Sequence, residues 1–438
     1  MAVFYVDNTL HAAANALGTA TGGGSGYILL QDAGVQSDGQ FAQYGITITS
    51  GTGAGQQRRI VDYDHTGNVN GERCATVDSA WATVPGTTST YEITVGCDVN
   101  SGANAGTGPT GAWRTIDHAM DAIAGAGTGP HTIWIRGGRA YCETAVIDTA
   151  GAAGRPVILE GYSNLPGDSG MATLDGQSVR SSGLTTSLTG GVYHVFRNLC
   201  VENCMGSGID LALASSLRLL GCVARNNRVN GIAIGQDCVL VGCEATGNLG
   251  SGFVVTAVSG GQSNILIGCH ARGNGGQQFR GGAITLVFCS ASGLANDTMA
   301  VSIVSASDGV CLINCTIDGS GSSGATGFYG SAGSRYVVVN SIFSNLRRGI
   351  RMVSLDPLRI ARNNLFHNCL EGNLTNYASD GGDVLADPAY VDGNAGDLRV
   401  RTASPALRAG YPASVDIGAF QHCSHSMIGG PCKIGVQA

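Results

Sequence analysis

A cysteine recurs every 20 to 26 residues through the middle of this chain, each time in the same local frame. Gly221-Cys222-Val223-Ala224-Arg225-Asn226-Asn227 is followed by Gly231-Ile232-Ala233-Ile234. Gly242-Cys243-Glu244-Ala245-Thr246-Gly247-Asn248 is followed by Gly252-Phe253-Val254-Val255, and Gly268-Cys269-His270-Ala271-Arg272-Gly273-Asn274 opens another copy. Repeats of this length are supersecondary units that stack on one another. Within each copy, short β-branched runs such as Val239-Leu240-Val241 and Ile265-Leu266-Ile267 alternate with period two and are separated by polar turns. That is strand patterning; helical spacing is absent. Strands this short cannot bury a face alone, so each coil must lie on the next.

Aligning the copies gives an inward column of Leu199, Cys222, Cys243, Cys269, Cys289, Cys315, Ser341 and Asn364. Two residues on lies a second: Val201, Ala224, Ala245, Ala271, Ala291, Ile317, Phe343 and Phe366. Its drift from small residues to Phe predicts a core that widens toward the C-terminus. Asn227, Asn248, Asn274, Asn345 and Asn368 fall at or near the turn, where Asn tolerates left-handed backbone and its amide can bond the Asn of the next coil. In-register neighbours sit about 4.8 Å apart with parallel side chains. A disulfide wants Cβ atoms roughly 3.5–4.5 Å apart and angled together. The column therefore predicts free buried thiols acting as small hydrophobes.

These features resemble the right-handed parallel β-helix of the pectate-lyase-like fold. Trp113-Arg114-Thr115-Ile116-Asp117-His118-Ala119-Met120 resembles the short helix that caps its N-terminal end. Thr132-Ile133-Trp134-Ile135-Arg136 resembles a first coil, and the stretches Asp387–Asp392, Gly396–Val400, Ser404–Leu407 and Asp416–Phe420 resemble a closing segment. The expected fold class is all-β: a parallel β-helix solenoid over 98–420, a small β domain over 1–97, a short capping helix and a tail over 421–438. Residues 98–112 read as a Gly/Ala/Thr linker. The fold hosts lyases, hydrolases, epimerases and inert fibres, so the resemblance implies architecture more than activity.

Gly45–Ile48, Gly51–Ile60 and Ala75–Asp78 mark the N-terminal block, which resembles a small β module of phage tail and appendage proteins and reads as about five strands. Its Gly-rich stretch Gly51-Thr52-Gly53-Ala54-Gly55 lacks the Gly-Lys-Ser/Thr ending of a phosphate loop and predicts a hairpin. A net charge of −7 argues against a nucleic-acid partner. Lys433 is the one lysine, which excludes lysine chemistry inside the solenoid. Charged residues make up only 13%, which points to extensive protein–protein contact. Met1–Asp7 has neither a charged n-region nor an apolar h-region, so no Sec signal is expected, and no stretch approaches a membrane span. A virion protein released by lysis needs no signal.

In the enzymes of this fold the working residues point outward from one parallel sheet. Here the outward columns of the cysteine-flanked strand are Cys200, Val223, Glu244, His270, Ser290, Thr316, Ile342, Leu365 and Glu202, Arg225, Thr246, Arg272, Ser292, Asp318, Ser344, His367. Glu202, Glu244, His270, Arg225 and Arg272 are the candidate catalytic residues. Glu244 with His270 could form an acid–base pair, and an arginine beside carboxylates could assist proton abstraction from a uronic acid; a cross-strand charge ladder is the other reading. Asp308 and Asp318 are further outward carboxylates. No calcium-type carboxylate cluster is visible, so no metal and no cofactor are expected. His422, Cys423, His425 and Cys432 could hold zinc, pair Cys423 with Cys432, or remain an unpaired tail. The strand after the turn would turn outward Asp210, Ala233, Val254, Thr285 and Arg351; Ala and Val there predict a covered face, by a loop or by neighbouring subunits of a homotrimer.

Three functions follow as expectations. One is a virion appendage, a fibre or spike that touches host surface glycan. Another is a depolymerase, a lyase or glycoside hydrolase cleaving that glycan. The third is a bacterial surface or exported adhesin secreted without a Sec signal. Trp81, Trp113 and Trp134 are the only tryptophans and none lies in the central coils, where stacking platforms for sugar rings would be needed.

Overall fold

The computed structural model describes most of residues 2–421; the larger stretches outside the description are 9–15, 32–40, 95–111, 257–263, 304–308, 354–358 and 422–438. The fold is a right-handed parallel β-helix of about nine turns with a small barrel-like sheet near its N-terminus. Two compact units divide the chain, Met1–Leu211 and Ala212–Ala438. Most coils supply one strand to each of three sheets, termed I, II and III in the order the chain visits them.

In the first unit, sheet I contains Ala2–Val6, His131–Arg136, Val157–Tyr162 and His194–Arg197, paired in parallel. The N-terminal strand is thus a solenoid strand: Ala2 pairs with His131 and Val6 with Ile135. The β domain expected over 1–97 is correspondingly smaller, a closed barrel between Ala16 and Thr94 spliced into the first coil. Among the described residues it has six strands rather than five, Ala16–Gly24, Tyr27–Leu30, Gly45–Ser50, Gln57–Val69, Glu72–Val77 and Thr90–Thr94. Ile28, Ile46, Ile48, Tyr63, Trp81 and Tyr91 fill it. The Gly-rich stretch is the hairpin between two of these strands, with Gly51, Gly53 and Gly55 all at positive φ. The linker expected at 98–112 falls almost wholly outside the described residues.

Helix α1 (Ile116–Gly125) follows, with Thr115 as N-cap accepting from the His118 N–H at 3.3 Å. Its apolar face, Ile116, Ala119, Met120 and Ile123, is fully buried. Trp113 stacks on Phe4 of the N-terminal strand at 5.1 Å between ring centroids. Sheet II here is Ala172–Asp175 with Leu199–Glu202, and sheet III is Ala145–Ile147, Leu184–Thr186 and Ile209–Leu211.

In the second unit sheet I runs from Arg218–Leu220 to Arg359–Arg362, sheet II from Val223–Arg225 to Val384–Leu385, and sheet III from Ile232–Ile234 to Leu374–Thr375. The cysteines sit at the corner between sheets I and II. Just before each column position the chain takes a left-handed conformation: φ is 62°, 61° and 59° at Gly221, Gly242 and Gly268, 53° at Phe288, and 53°, 53° and 54° at Asn314, Asn340 and Asn363. Gly and Asn populate that region most readily, which is why they hold the position in every one of these coils but that of Phe288. Cys222, Cys243, Cys269, Cys289 and Cys315 are buried thiols outside any disulfide, as the spacing predicts. Their thiols donate weakly to carbonyls, Cys243 Sγ to Leu219 O at 3.3 Å and Cys289 Sγ to Leu266 O at 3.3 Å.

The second inward column is also buried. Much of its growth in size is a trade with sheet III rather than a widening. Small Ala245 and Ala271 belong to the coils whose sheet III strands carry Phe253 and Phe279, stacked at 5.1 Å. Phe343 and Phe366, stacked at 5.5 Å, instead meet Gly327 and Gly349, where an added Cβ would come within 2.6 and 2.8 Å of the rings. The asparagine ladder forms: Asn227 Nδ2 donates to Asn248 Oδ1 and Asn248 Nδ2 to Asn274 Oδ1, both at 2.9 Å. Asn345 and Asn368 belong to a separate, left-handed position and bond each other at 3.1 Å.

Candidate functional site

Sheet II positions the candidate residues. In the second unit, parallel register sets Val223, Glu244, His270 and Ser290 side by side, and Arg225, Thr246, Arg272 and Ser292 beside them. Glu244 and His270 are therefore cross-strand neighbours. Glu244 is exposed and accepts from Thr246 Oγ1 at 2.9 Å. The His270 Nδ1 lies 2.8 Å from Ser290 Oγ. Burial pulls the His270 pKa below the ordinary value, against the opposing pull of the Glu244 carboxylate. Arg225 and Arg272 are exposed.

The later half of this face is closed. After the last sheet II strand, Val384–Leu385, the chain turns back over the outward side of its own sheet. Ile342 and Leu365, outward by alternation, form a core with Val400, Ala406 and Ile417 of this strap. The Ala419 N–H donates to Thr316 Oγ1 at 2.9 Å and Asn314 Nδ2 to Asp416 O at 2.7 Å. Phe420 stacks on the His270 ring, and the strap's Gly396 is so near that an added Cβ would sit 2.7 Å from Arg272 Cζ. Ser290, Ser292, Thr316, Asp318 and Ser344 are consequently buried although they point away from the core. Asp318, an expected outward carboxylate, is 1% exposed and accepts from Ser344 Oγ at 2.7 Å and Asn345 Nδ2 at 2.8 Å. Asp308 and the tail residues His422, Cys423, His425 and Cys432 lie outside the described residues.

Glu202 belongs to the first unit. Its register partner is Asp175, so two carboxylates point the same way from adjacent strands there. Asp175 Oδ1 accepts from the Gln177 N–H at 2.8 Å and from Asn203 Nδ2 at 3.1 Å. The sequence reading missed Asp175 because its coil lacks the Gly-Cys frame; the Ala172-Thr173-Leu174-Asp175 alternation was the available signal. Among the described residues no three His, Cys, Asp or Glu gather in a way that would hold a metal ion.

The outward column assigned to the strand after the turn needs one correction. Thr285 is a sheet I residue, paired with Ile265 and Cys311. Arg280 takes its place beside Val254. Sheet III thus turns out Ala233, Val254, Arg280, Ser302, Tyr329 and Arg351, a mixed column in which Arg280 and Arg351 are exposed and Arg351 lies over the Tyr329 ring at 5.6 Å. The apolar outward face is that of sheet I. One of its columns reads Leu220, Val241, Ile267, Val287, Ile313 and Val339; the other reads Val239, Ile265, Thr285, Cys311, Val337 and Ile360. Arg218 stands at one end and Arg362 at the other.

A family model described as a right handed beta helix region matches residues 165–298. Among solved structures, pectate lyase Pel9A aligns with 74% of this chain and 95% of its own at a TM-score of 0.48 and 14% identity. The A-module of the Azotobacter vinelandii mannuronan C-5 epimerase AlgE4 aligns with 61% of this chain and 85% of its own, at 0.36 and 16%. ORF18 of Geobacillus virus E2 aligns with 61% of this chain and 56% of its own, at 0.35 and 12%. Similarity this distant is one of fold. No curated protein matches the sequence significantly.

Proposed function

We propose that this chain is a structural appendage protein of a virion, a β-helical rod assembled from several copies, most simply three, that touches host surface glycan. The observation that carries the reading is the outward face of sheet I. Eleven of its fourteen outward positions are aliphatic or Cys, with Thr285 between them and arginines only at the two ends. Seven strands span roughly 29 Å at the spacing of a parallel sheet. An apolar strip of that length, about 10 Å wide, is of the size that marks an interaction surface on a soluble protein. A second copy is the occupant that fits. The strip carries no charge along its middle to select a different partner and repeats with the solenoid, so another copy meets it in register. The strap over sheet II supports the same reading, because it closes half of the face on which enzymes of this fold work. The barrel then serves as the module that joins other particle proteins.

The test is the oligomeric state together with the location of the chain. Val287→Asp and Ile313→Asp put charge at the centre of the strip. Conversion of the wild-type trimer to folded monomers, seen by light scattering and circular dichroism, supports the assembly. A wild-type chain that is monomeric at micromolar concentration sinks it. Immunogold labelling at a particle vertex or tail supports the appendage. The second reading, a depolymerase, draws on the Asp175–Glu202 and Glu244–His270 pairs. Release of reducing ends or unsaturated uronates from a glycan panel, abolished by Glu202→Gln or Glu244→Gln, would establish it instead.

A further inference from the structure

Within the first unit a cavity of about 290 Å³ opens between the barrel, the start of α1 and the first coils. Its charged lining is balanced, Arg58, Arg59 and Arg180 against Asp78, Asp117 and Glu143, and Asn8 and Gln57 add amides. Most of these groups are already satisfied. Arg58 is 2% exposed; its Nε donates to Ser79 O and Ala80 O, each at 3.1 Å, its Nη2 to Ala80 O at 2.6 Å, and its Nη1 to Gln57 O at 2.7 Å and to Gln177 Oε1. Its guanidinium also lies over the Trp81 ring at 5.1 Å. The Glu143 carboxylate accepts from the Ile116 and Asp117 N–H groups at 2.9 and 3.0 Å, at the positive end of α1. Asp117 accepts from the Val146 N–H at 3.1 Å. Asp78 Oδ1 accepts from the Arg59 N–H at 3.2 Å.

Arg180 differs. Its side chain is 6% exposed, and neither Nη1 nor Nη2 has a hydrogen-bond partner. Asp78 Oδ2 approaches Nη2 only to 3.7 Å. Asn8 Oδ1 is a second orphan in the same lining: its Nδ2 donates to Ala140 O at 3.0 Å while the oxygen accepts nothing. A buried guanidinium without acceptors is strongly unfavourable. Arg58 and Arg180 also repel one another; burial first and the Arg180 charge second pull the Arg58 pKa down to about 10. The cavity therefore offers unused N–H donors, one unused acceptor and two buried guanidinium groups that repel one another.

We propose that this cavity binds a small hydroxyl-bearing oxyanion, its oxygens taken by the Arg180 guanidinium and its hydroxyl donated to Asn8 Oδ1. Hydrogen phosphate and a monomeric uronate share this chemistry. A planar fork of N–H donors suits either anion and binds it through charge-assisted hydrogen bonds. The site stands independently of the appendage reading, since none of its lining residues belongs to the sheet I strip.

The full chain is titrated with sodium phosphate and, separately, with galacturonate, by calorimetry at ionic strength held constant with chloride. Saturable binding of one of them is expected, and the arm that binds more tightly identifies the source. Arg180→Met is expected to weaken binding by about 30-fold, the loss of a charge-assisted bond pair. Asp78→Asn removes the carboxylate nearest to Arg180 and is expected to tighten binding several-fold. Absence of saturable heat with both anions overturns the proposal and leaves water as the occupant. So does unchanged affinity in a folded Arg180→Met chain. If Arg180→Met fails to fold, Asp78→Asn decides: tighter binding supports the site, and unchanged or weaker binding overturns it.

Discussion

Phe420 lies parallel over the imidazole of His270, with ring centroids 5.8 Å apart and planes within 7°. The contact ties the end of the strap to the middle of sheet II, 150 residues earlier. It also explains why His270 titrates low: the aromatic lid removes water from one face of a ring whose Nδ1 is engaged by Ser290.

Phe420→Ala should therefore raise the His270 pKa toward the ordinary value while leaving the solenoid folded. Desolvation is the larger cause of the depression, and the Glu244 carboxylate then acts unopposed to favour the cation. The ring C–H resonances of His270, followed by NMR against pH in both chains, check this. An identical midpoint in the two would show that the strap does not set the environment of His270.

The asparagine ladder should be a principal tie between coils. Asn248 is 1% exposed and fully used: Oδ1 accepts from Asn227 N and Nδ2, and Nδ2 donates to Ala224 O and Asn274 Oδ1. Asn248→Ala strands several buried groups at once. The expected loss is about 2–4 kcal/mol, at roughly 1–3 kcal/mol per unsatisfied buried group with partial relaxation. It would be read as a lower urea midpoint with unchanged slope. A loss below about 0.5 kcal/mol would mean that water replaces the amide.

The column thiols should be inert in the native chain. Cys269 and Cys315 are fully enclosed, and burial pushes both thiols up, away from the reactive thiolate. A chromogenic disulfide reagent should label Cys222, Cys243, Cys269, Cys289 and Cys315 only as fast as the solenoid opens, with mass spectrometry locating the adducts. Rapid labelling of Cys243 under native conditions would contradict the packing.

The repeat made these inner features readable. A residue on the inner column meets the same column on the next coil, so local alternation and coil spacing together specify its neighbours. Cys243 and Asn248 were legible for that reason, and α1 from its resemblance to the short helix that caps the N-terminal end of this fold. What the sequence hid depends on distant or irregular pairing. Nothing near Ala2–Val6 announces that its partner is His131–Arg136, with the whole barrel between them. Coil length varies from 20 to 26 residues, and that slippage put Thr285 on the wrong sheet in place of Arg280. The strap reverses the burial of Thr316, Asp318 and Ser344, which alternation alone assigns to solvent. Arg58 and Arg180 carry no local pattern at all; only their burial beside the same cavity marks them.

A last expectation concerns acid. His194 is fully buried, stacks on Phe196 at 5.8 Å, and has Nδ1 3.0 Å from Val192 O. That bond requires the proton on Nδ1, leaving Nε2 bare and without a partner. Protonating Nε2 would create an enclosed charge, so burial lowers the His194 pKa from 6.5 to about 4. The unfolded chain binds this proton more tightly than the folded one, so stability falls as pH falls. The contribution is fully present above pH 6.5 and is lost progressively toward pH 4. The loss amounts to roughly 3 kcal/mol, at about 1.4 kcal/mol per unit. His194→Leu keeps an apolar side chain in the site and removes the titration. Whatever its stability at neutral pH, its urea midpoint should fall less between pH 6.5 and 4 than that of the wild type. Parallel midpoint-against-pH curves for the two chains would show that His194 is not the group whose protonation weakens the first unit.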